Sequence, residues 1–348
     1  MKNDLTSLTF GCGSVPRRHE LGLLRIPEGV PPVKGGIVLS QTGWGSRKTL
    51  TAAAVGAKGT AVPQLWLCGG SDVLPPVYQR FVAEAVTARL IQRNGCTVGV
   101  CYEDEYAEYC LLTGVLPPDL KASREAQTTA IFEAIETAVG EAGMTFAHVA
   151  RTWLYMDRIL DWYDTFNRAR DAFFRSRNVY DGLVPASTGI GSANLCGSAI
   201  TACAIAVKPK RPEVLRVTAL PSPLQCAALA YGSSFSRAVE LRTSENRMVM
   251  ISGTASIEPG GATAYVGDVE RQIGLTMDVA GAILESSNLT WANTTRAVMY
   301  LKHAEFLPHW KAWLKAHALE GMPVITIEAD VCRDDLLVEL ELDAVSVT

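Results

Sequence analysis

Residues 145–155, TFAHVARTWLY, and residues 290–300, TWANTTRAVMY, share the pattern T-[FW]-A-x-x-x-R-x-x-x-Y without a gap. Thr145, Ala147, Arg151 and Tyr155 superpose on Thr290, Ala292, Arg296 and Tyr300 at a constant offset of 145, and Gln127 meets Gln272 at the same offset. In both copies β-branched and aromatic residues replace helix formers, so each stretch reads as a strand. The surroundings repeat as well. Ser123 caps an amphipathic helix carrying Ile131, Phe132, Ile135 and Val139, and Asp268 caps one carrying Met277, Ile283 and Leu284. Beyond each strand comes a second helix, from about Trp162 to Phe174 and around Trp310, Trp313 and Leu314, and then a closing strand, 200–207 or LLVELELDAV at 336–345. An offset of 138 brings Pro185 onto Pro323 and Ala206-Val207 onto Ala344-Val345. The expected fold is therefore α/β (α+β): two tandem units of strand, helix, strand, helix, strand, each a mixed sheet with helices packed on one face.

Outward from this repeat the signals weaken. Residues 1–60 are rich in Gly and Pro and read as an irregular lead-in; TGWGSRKT at 42–49 is a turn, because a phosphate-binding loop needs Gly where Arg47 sits. Phe81, Ala85 and Leu90 predict a short amphipathic helix over 77–91, and 97–102 reads as a strand. The expected division is 1–60, then 61–209, then 210–348, the last two joined by the KPKRP linker.

Composition removes several classes of function. A chain of 348 residues is long for one core, which agrees with two units. No apolar run is long enough to span a membrane, and MKNDLTSLTFGCGSVPRRHE lacks the apolar core of a secretory signal, so a cytoplasmic protein is expected. The nine cysteines include no CxxC pair and the five histidines no HExxH, which argues for reduced thiols and against a metal site. The net charge of −4, with signs interspersed, offers no basic stripe for nucleic acid. Small-molecule chemistry or protein binding remains.

Six further segments carry a resemblance. ISGTASI (251–257), GDVERQ (267–272) and DVCRDDLLVELE (330–341) look like the RidA/YjgF fold; ARTWLY (150–155), PASTGIG (185–191) and YGSSFSRA (231–238) make the chain similar to the chorismatase family. That resemblance covers residues 145–348 and implies a reaction without metal or cofactor, in which chorismate yields pyruvate and a hydroxybenzoate, or a dihydroxylated cyclohexadiene carboxylate. It also implies an aromatic or dicarboxylate small-molecule partner and, from the habit of RidA-like units, a homotrimer with pockets at its junctions.

The residues suit that chemistry. Two carboxylates call for guanidinium partners, and an enolpyruvyl ether needs a general acid for its methylene carbon. Glu339 is the candidate acid. Alternation puts Glu339 and Glu341 on one face of an apolar strand, and burial there would keep a carboxyl protonated near neutrality. The alternative is an edge strand with two solvated glutamates. Arg151, Arg237 and Arg333 are candidate carboxylate binders, with Tyr155 and Tyr231 as hydrogen-bonding walls; each could equally be structural. By resemblance, Gly253 and Cys332 match positions that mark the 3-hydroxybenzoate-forming subgroup, while on their own terms they read as a bulge glycine and an inert buried thiol.

The chain also departs from the pattern. Leu154 stands where the family has Asn, the YGSSF segment is short and lacks the family's arginine, and Pro323 is followed by Val324 and Ile325 rather than the arginine of imine deaminases. Two other readings stay open: a RidA-like protein acting on another 2-oxo acid, imine or aromatic carboxylate, and a ligand-binding or assembly module without catalysis.

Overall fold

The computed structural model describes residues 5–12, 15–24, 30–56, 61–69, 72–84 and 86–347, with the backbone alone at 5–12, 55, 56 and 231. Three six-stranded mixed sheets surround one shared core.

The first sheet uses β1 (Leu5–Cys12), β2 (Val15–Leu23), β3 (Ile37–Gly45), β4 (Gln64–Cys68) and β5 (Val77–Ala83), with α1 (Arg47–Gly56) between β3 and β4. The second has β6 (Arg89–Arg93), β7 (Cys96–Glu103), β8 (Ala107–Val115), α2 (Arg124–Glu141), β9 (Val149–Met156), α3 (Tyr163–Ser176) and β10 (Ala186–Gly191). After β11 (Ala193–Asn194), which pairs with β4 of the first sheet, β12 (Ile200–Pro209) completes the second. The third has β13 (Arg216–Leu220), β14 (Ala238–Arg242), β15 (Asn246–Ala255), α4 (Val269–Ser286), β16 (Thr294–Leu301), α5 (Leu307–Ala316), β17 (Val324–Glu328) and β18 (Val338–Val347).

The second and third sheets have one topology, β6-β7-β8-β12-β9-β10 matching β13-β14-β15-β18-β16-β17. The tandem repeat read from the sequence is present, its two helices per unit included. Ser123 and Asp268 both cap as expected, their side chains accepting from the backbone N–H of Ala126 and Arg271. Behind the second sheet α2 and α3 bury an aromatic cluster, Phe132, Phe146, Phe166, Phe173 and Phe174, with ring centroids 5.1–6.4 Å apart. Such pairs add about 0.5–1.5 kcal/mol each beyond area burial.

Residues 1–60 are not an irregular lead-in where they are described. Their three strands join β4 and β5 in the order β1-β2-β5-β3-β4, which repeats β14-β15-β18-β16-β17 of the third sheet. It is a third unit, reduced by one outer strand and by the long helix, since only residues 24–36 join β2 to β3. The period of β2, VPRRHELGL, was hidden because polar residues occupy both faces and are buried there. Arg18 and Arg80 both pair with Glu20, Arg18 also with Glu84, and both donate to carbonyls of the 30–36 loop at Pro31, Lys34 and Gly35. Where its siblings carry the long helix on an apolar face, this sheet carries a paired ionic cluster, because buried charges need partners. The helix expected over 77–91 is replaced by β5 and the start of β6, with Ala85 outside the described residues. Every residue of β5 is buried, so no helical stripe exists there.

Candidate active site

Both arginines of the repeated motif point to the shared core. Arg151 on β9 and Arg296 on β16 clamp Glu341 of β18, Arg151 through Nη2 to Oε2 at 2.8 Å and Arg296 to Oε1, while Trp153 Nε1 donates to the same carboxylate at 2.8 Å. Arg296 also donates to Asp343 at 3.1 Å and to Gln79 at 2.7 Å. Two guanidinium groups and two carboxylates, all buried, form a neutral cluster closed on every side.

Two residues along β18 the setting changes. Glu339 lines a pocket at the seam between the second and third sheets. The seam forms because edge strand β10 runs on against the third unit, with bridges from Ala186 to Ser236 and from Gly191 to Asp330. β10 contributes Ser187 and Gly189, α3 contributes Tyr163 and Arg170, and the third unit brings Phe235, Arg237, Gly253, Cys332 and Arg333.

The Glu339 carboxyl accepts no hydrogen bond from the described residues and is 5% exposed. Burial first, then the charge of Glu341, raises its pKa to about 8, with Arg151 opposing. It is therefore a carboxylic acid at neutral pH. The bulge between Ile251 and Thr254 lets Gly253 pass against this carboxyl, and a methyl group added there would overlap it. The bulge is pinned from β10: Gly253 N–H donates to Thr188 Oγ1 at 3.0 Å, and Ser187 N–H to Ser252 Oγ at 2.9 Å. Thr188 Oγ1 also accepts from Arg151 Nη2 at 2.7 Å, so the sealed cluster steadies the pocket floor.

Cys332 lies beside Glu339 as a thiol, its pKa pushed up to about 12 by burial and by the Glu339 charge. Arg237 donates twice to the Cys226 carbonyl, at 2.9 and 3.1 Å, and Arg333 to the Gly261 carbonyl at 2.7 Å. The segment carrying Phe235 and Arg237 is tied to α3, where Ser234 bonds Asp171 and Tyr180.

Of the residues singled out in the sequence, Glu339, Cys332, Arg237, Gly253 and Arg333 meet in this pocket. Arg151 and Tyr155 do not. Arg151 is committed to Glu341, and Tyr155 is 1% exposed in the shared core, its ring centroid 6.4 Å from that of Trp44. The side chain of Tyr231 lies outside the described residues. Tyr163 and Arg170 went unread; an arginine four residues after Phe166, beside the apolar stripe of α3, was the available signal. Among the described residues no group of three or more His, Cys, Asp or Glu could hold a metal ion, and no helix is long and apolar enough to cross a membrane.

No family model matches the chain. It is 28% identical over 313 residues to a 3-hydroxybenzoate synthase of Streptomyces hygroscopicus, covering 78% of this chain and 83% of that protein. It is 27% identical over 243 residues to a chorismatase of Streptomyces rapamycinicus, covering 62% of this chain and 69% of the other. A crystal structure of a chorismatase superposes with a TM-score of 0.72 at 19% identity, over 96% of this chain and 99% of that one. In sequence this chain is similar to a 3-hydroxybenzoate synthase and to chorismatases at 27–28% identity, and it shares the fold of a chorismatase.

Proposed function

We propose that the chain cleaves the enolpyruvyl ether of chorismate, with Glu339 as the general acid and pyruvate as one product. One observation carries this reading: a carboxyl with a pKa of about 8, without a hydrogen-bond partner among the described residues, lines a pocket that is also lined by Arg170, Arg237 and Arg333. An acid poised near neutrality is what protonation of an enol ether requires, and the cations suit a substrate bearing two carboxylates.

The proton moves from Glu339 to the methylene carbon, leaving positive charge on the ether carbon that the Glu339 carboxylate, now ionised, faces across the pocket. Attack of the neighbouring ring hydroxyl oxygen on the ring carbon that bears the ether expels pyruvate, returns the hydroxyl proton to the Glu339 carboxylate and leaves an epoxide isomeric with hydroxybenzoate. Breaking its other C–O bond with loss of a ring proton gives 3-hydroxybenzoate with no net water, whereas attack of water on the charged ether carbon gives pyruvate and the dihydroxylated diene. Gly253 and Cys332 beside the acid, together with the similarity to a 3-hydroxybenzoate synthase, support the first product. Both walls of the pocket belong to one chain, so this reading needs no second copy; association in threes is a separate expectation for sedimentation velocity to test. Purified protein mixed with chorismate is expected to release pyruvate, read by coupled NADH oxidation, with an equal amount of 3-hydroxybenzoate by chromatography. Absence of pyruvate from folded protein overturns the proposal.

A further inference from the structure

The three arginines of the pocket are not equivalent, and we propose that Arg170 is the one that binds a substrate carboxylate directly, which rests on the reading of the pocket as a site for an aromatic carboxylate. Arg237 spends two N–H groups on the Cys226 carbonyl and Arg333 one on the Gly261 carbonyl, so both secure loops of the third unit. Arg170 has a different set of neighbours. Its Nη2 donates to Asn167 Oδ1 at 2.7 Å, and its guanidinium carbon lies 4.9 Å from the centre of the Phe166 ring. Both partners sit one turn earlier on α3, at the spacings that place side chains on one face of a helix. They fix the plane of the group and leave its charge unanswered.

Arg170 is 3% exposed, its Nε is buried without a hydrogen-bond partner, and no carboxylate pairs with it among the described residues. A buried guanidinium with an idle donor is costly unless a ligand supplies the acceptor, and a planar carboxylate offers two oxygens to the planar fork. The pocket it lines also contains Glu339, Gly253 and Cys332, so a carboxylate held there brings the rest of the molecule up to the acid.

The test separates charge recognition from fold and from turnover. Affinities of 3-hydroxybenzoate and of its neutral isostere 3-hydroxybenzamide are measured by calorimetry on the full chain and on Arg170→Met and Arg170→Lys, with thermal melts of each. The wild type is expected to prefer the carboxylate by roughly tenfold to a hundredfold. Arg170→Met is expected to lose that preference while its affinity for the amide stays within a few-fold, and Arg170→Lys to recover part of it. An unchanged preference in well-folded Arg170→Met overturns the assignment. Should the wild type show no preference, or bind neither compound, the assignment falls as well, and pyruvate release from chorismate by the same preparation then tells whether the proposed function falls with it.

Discussion

Glu339 and Glu341 stand two residues apart on the same face of β18, yet one is locked and the other is left free. Glu341 accepts hydrogen bonds from Arg151, Arg296 and Trp153 and closes a neutral cluster at the centre of the molecule. Glu339 receives none among the described residues, lines the pocket and holds its proton to about pH 8. The strand supplies both carboxyls with the same backbone geometry, so the difference comes entirely from what the neighbouring sheets place opposite each. Opposite Glu341 they place guanidinium groups; opposite Glu339 they leave a glycine bulge and a seam. The ion cluster also acts on the pocket acid, because the charge of Glu341 helps to keep Glu339 neutral.

The comparison breaks most severely where each carboxyl is removed. Glu339→Gln keeps the shape of the side chain but has no transferable proton, and pyruvate release is expected to fall by roughly 10²–10⁴-fold with the melting temperature unchanged or raised. Glu341→Ala leaves Arg151 and Arg296 facing each other without their shared partner, and the expected loss is about 3–5 kcal/mol in chemical denaturation, the signature of a broken buried pair.

The pH dependence sharpens the contrast. Glu339 has a raised folded pKa, so between its ordinary value of 4.5 and about 8 the folded state keeps a proton that the unfolded state releases. Its contribution is therefore complete at acid pH, declines as pH rises through that window, and totals on the order of 5 kcal/mol. Stability measured against pH is expected to fall across the window in the wild type and to flatten in Glu339→Gln, while kcat/KM declines above about pH 8 as the acid ionises. Gly253→Ala pushes the acid aside without removing it, for an expected loss of roughly tenfold to a hundredfold in kcat and little change in stability. Cys332→Ala is the mildest: a thiol with a pKa of about 12 stays neutral throughout, so the expected change is in the ratio of products by mass spectrometry, with kcat within a few-fold.

Legibility in the sequence followed the source of each signal. The paired helices were readable because their apolar stripes and caps are local, as at Ser123 and Asp268. The first sheet was not, because Arg18, Glu20 and Arg80 satisfy one another across strands and erase the alternation that marks a half-buried sheet. Strand alternation and resemblance singled out Glu339 and Gly253, which line one pocket, whereas Arg151, singled out beside them, pairs with Glu341 in the core: an arginine in a repeated motif looks the same in sequence whether it meets a ligand or the chain's own carboxylate.

What the sequence determined by itself was the unit: its period, its helices, its final strand with two acids on one face, and the family it resembles, since all of these depend on spacing within a segment. Which acid would be sealed and which would face a pocket was decided only by the tertiary structure. That outcome depends on side chains brought from Arg151, Thr188 and Arg296, far away in the chain, and burial and charge act on a carboxyl through distance in space rather than through order in sequence.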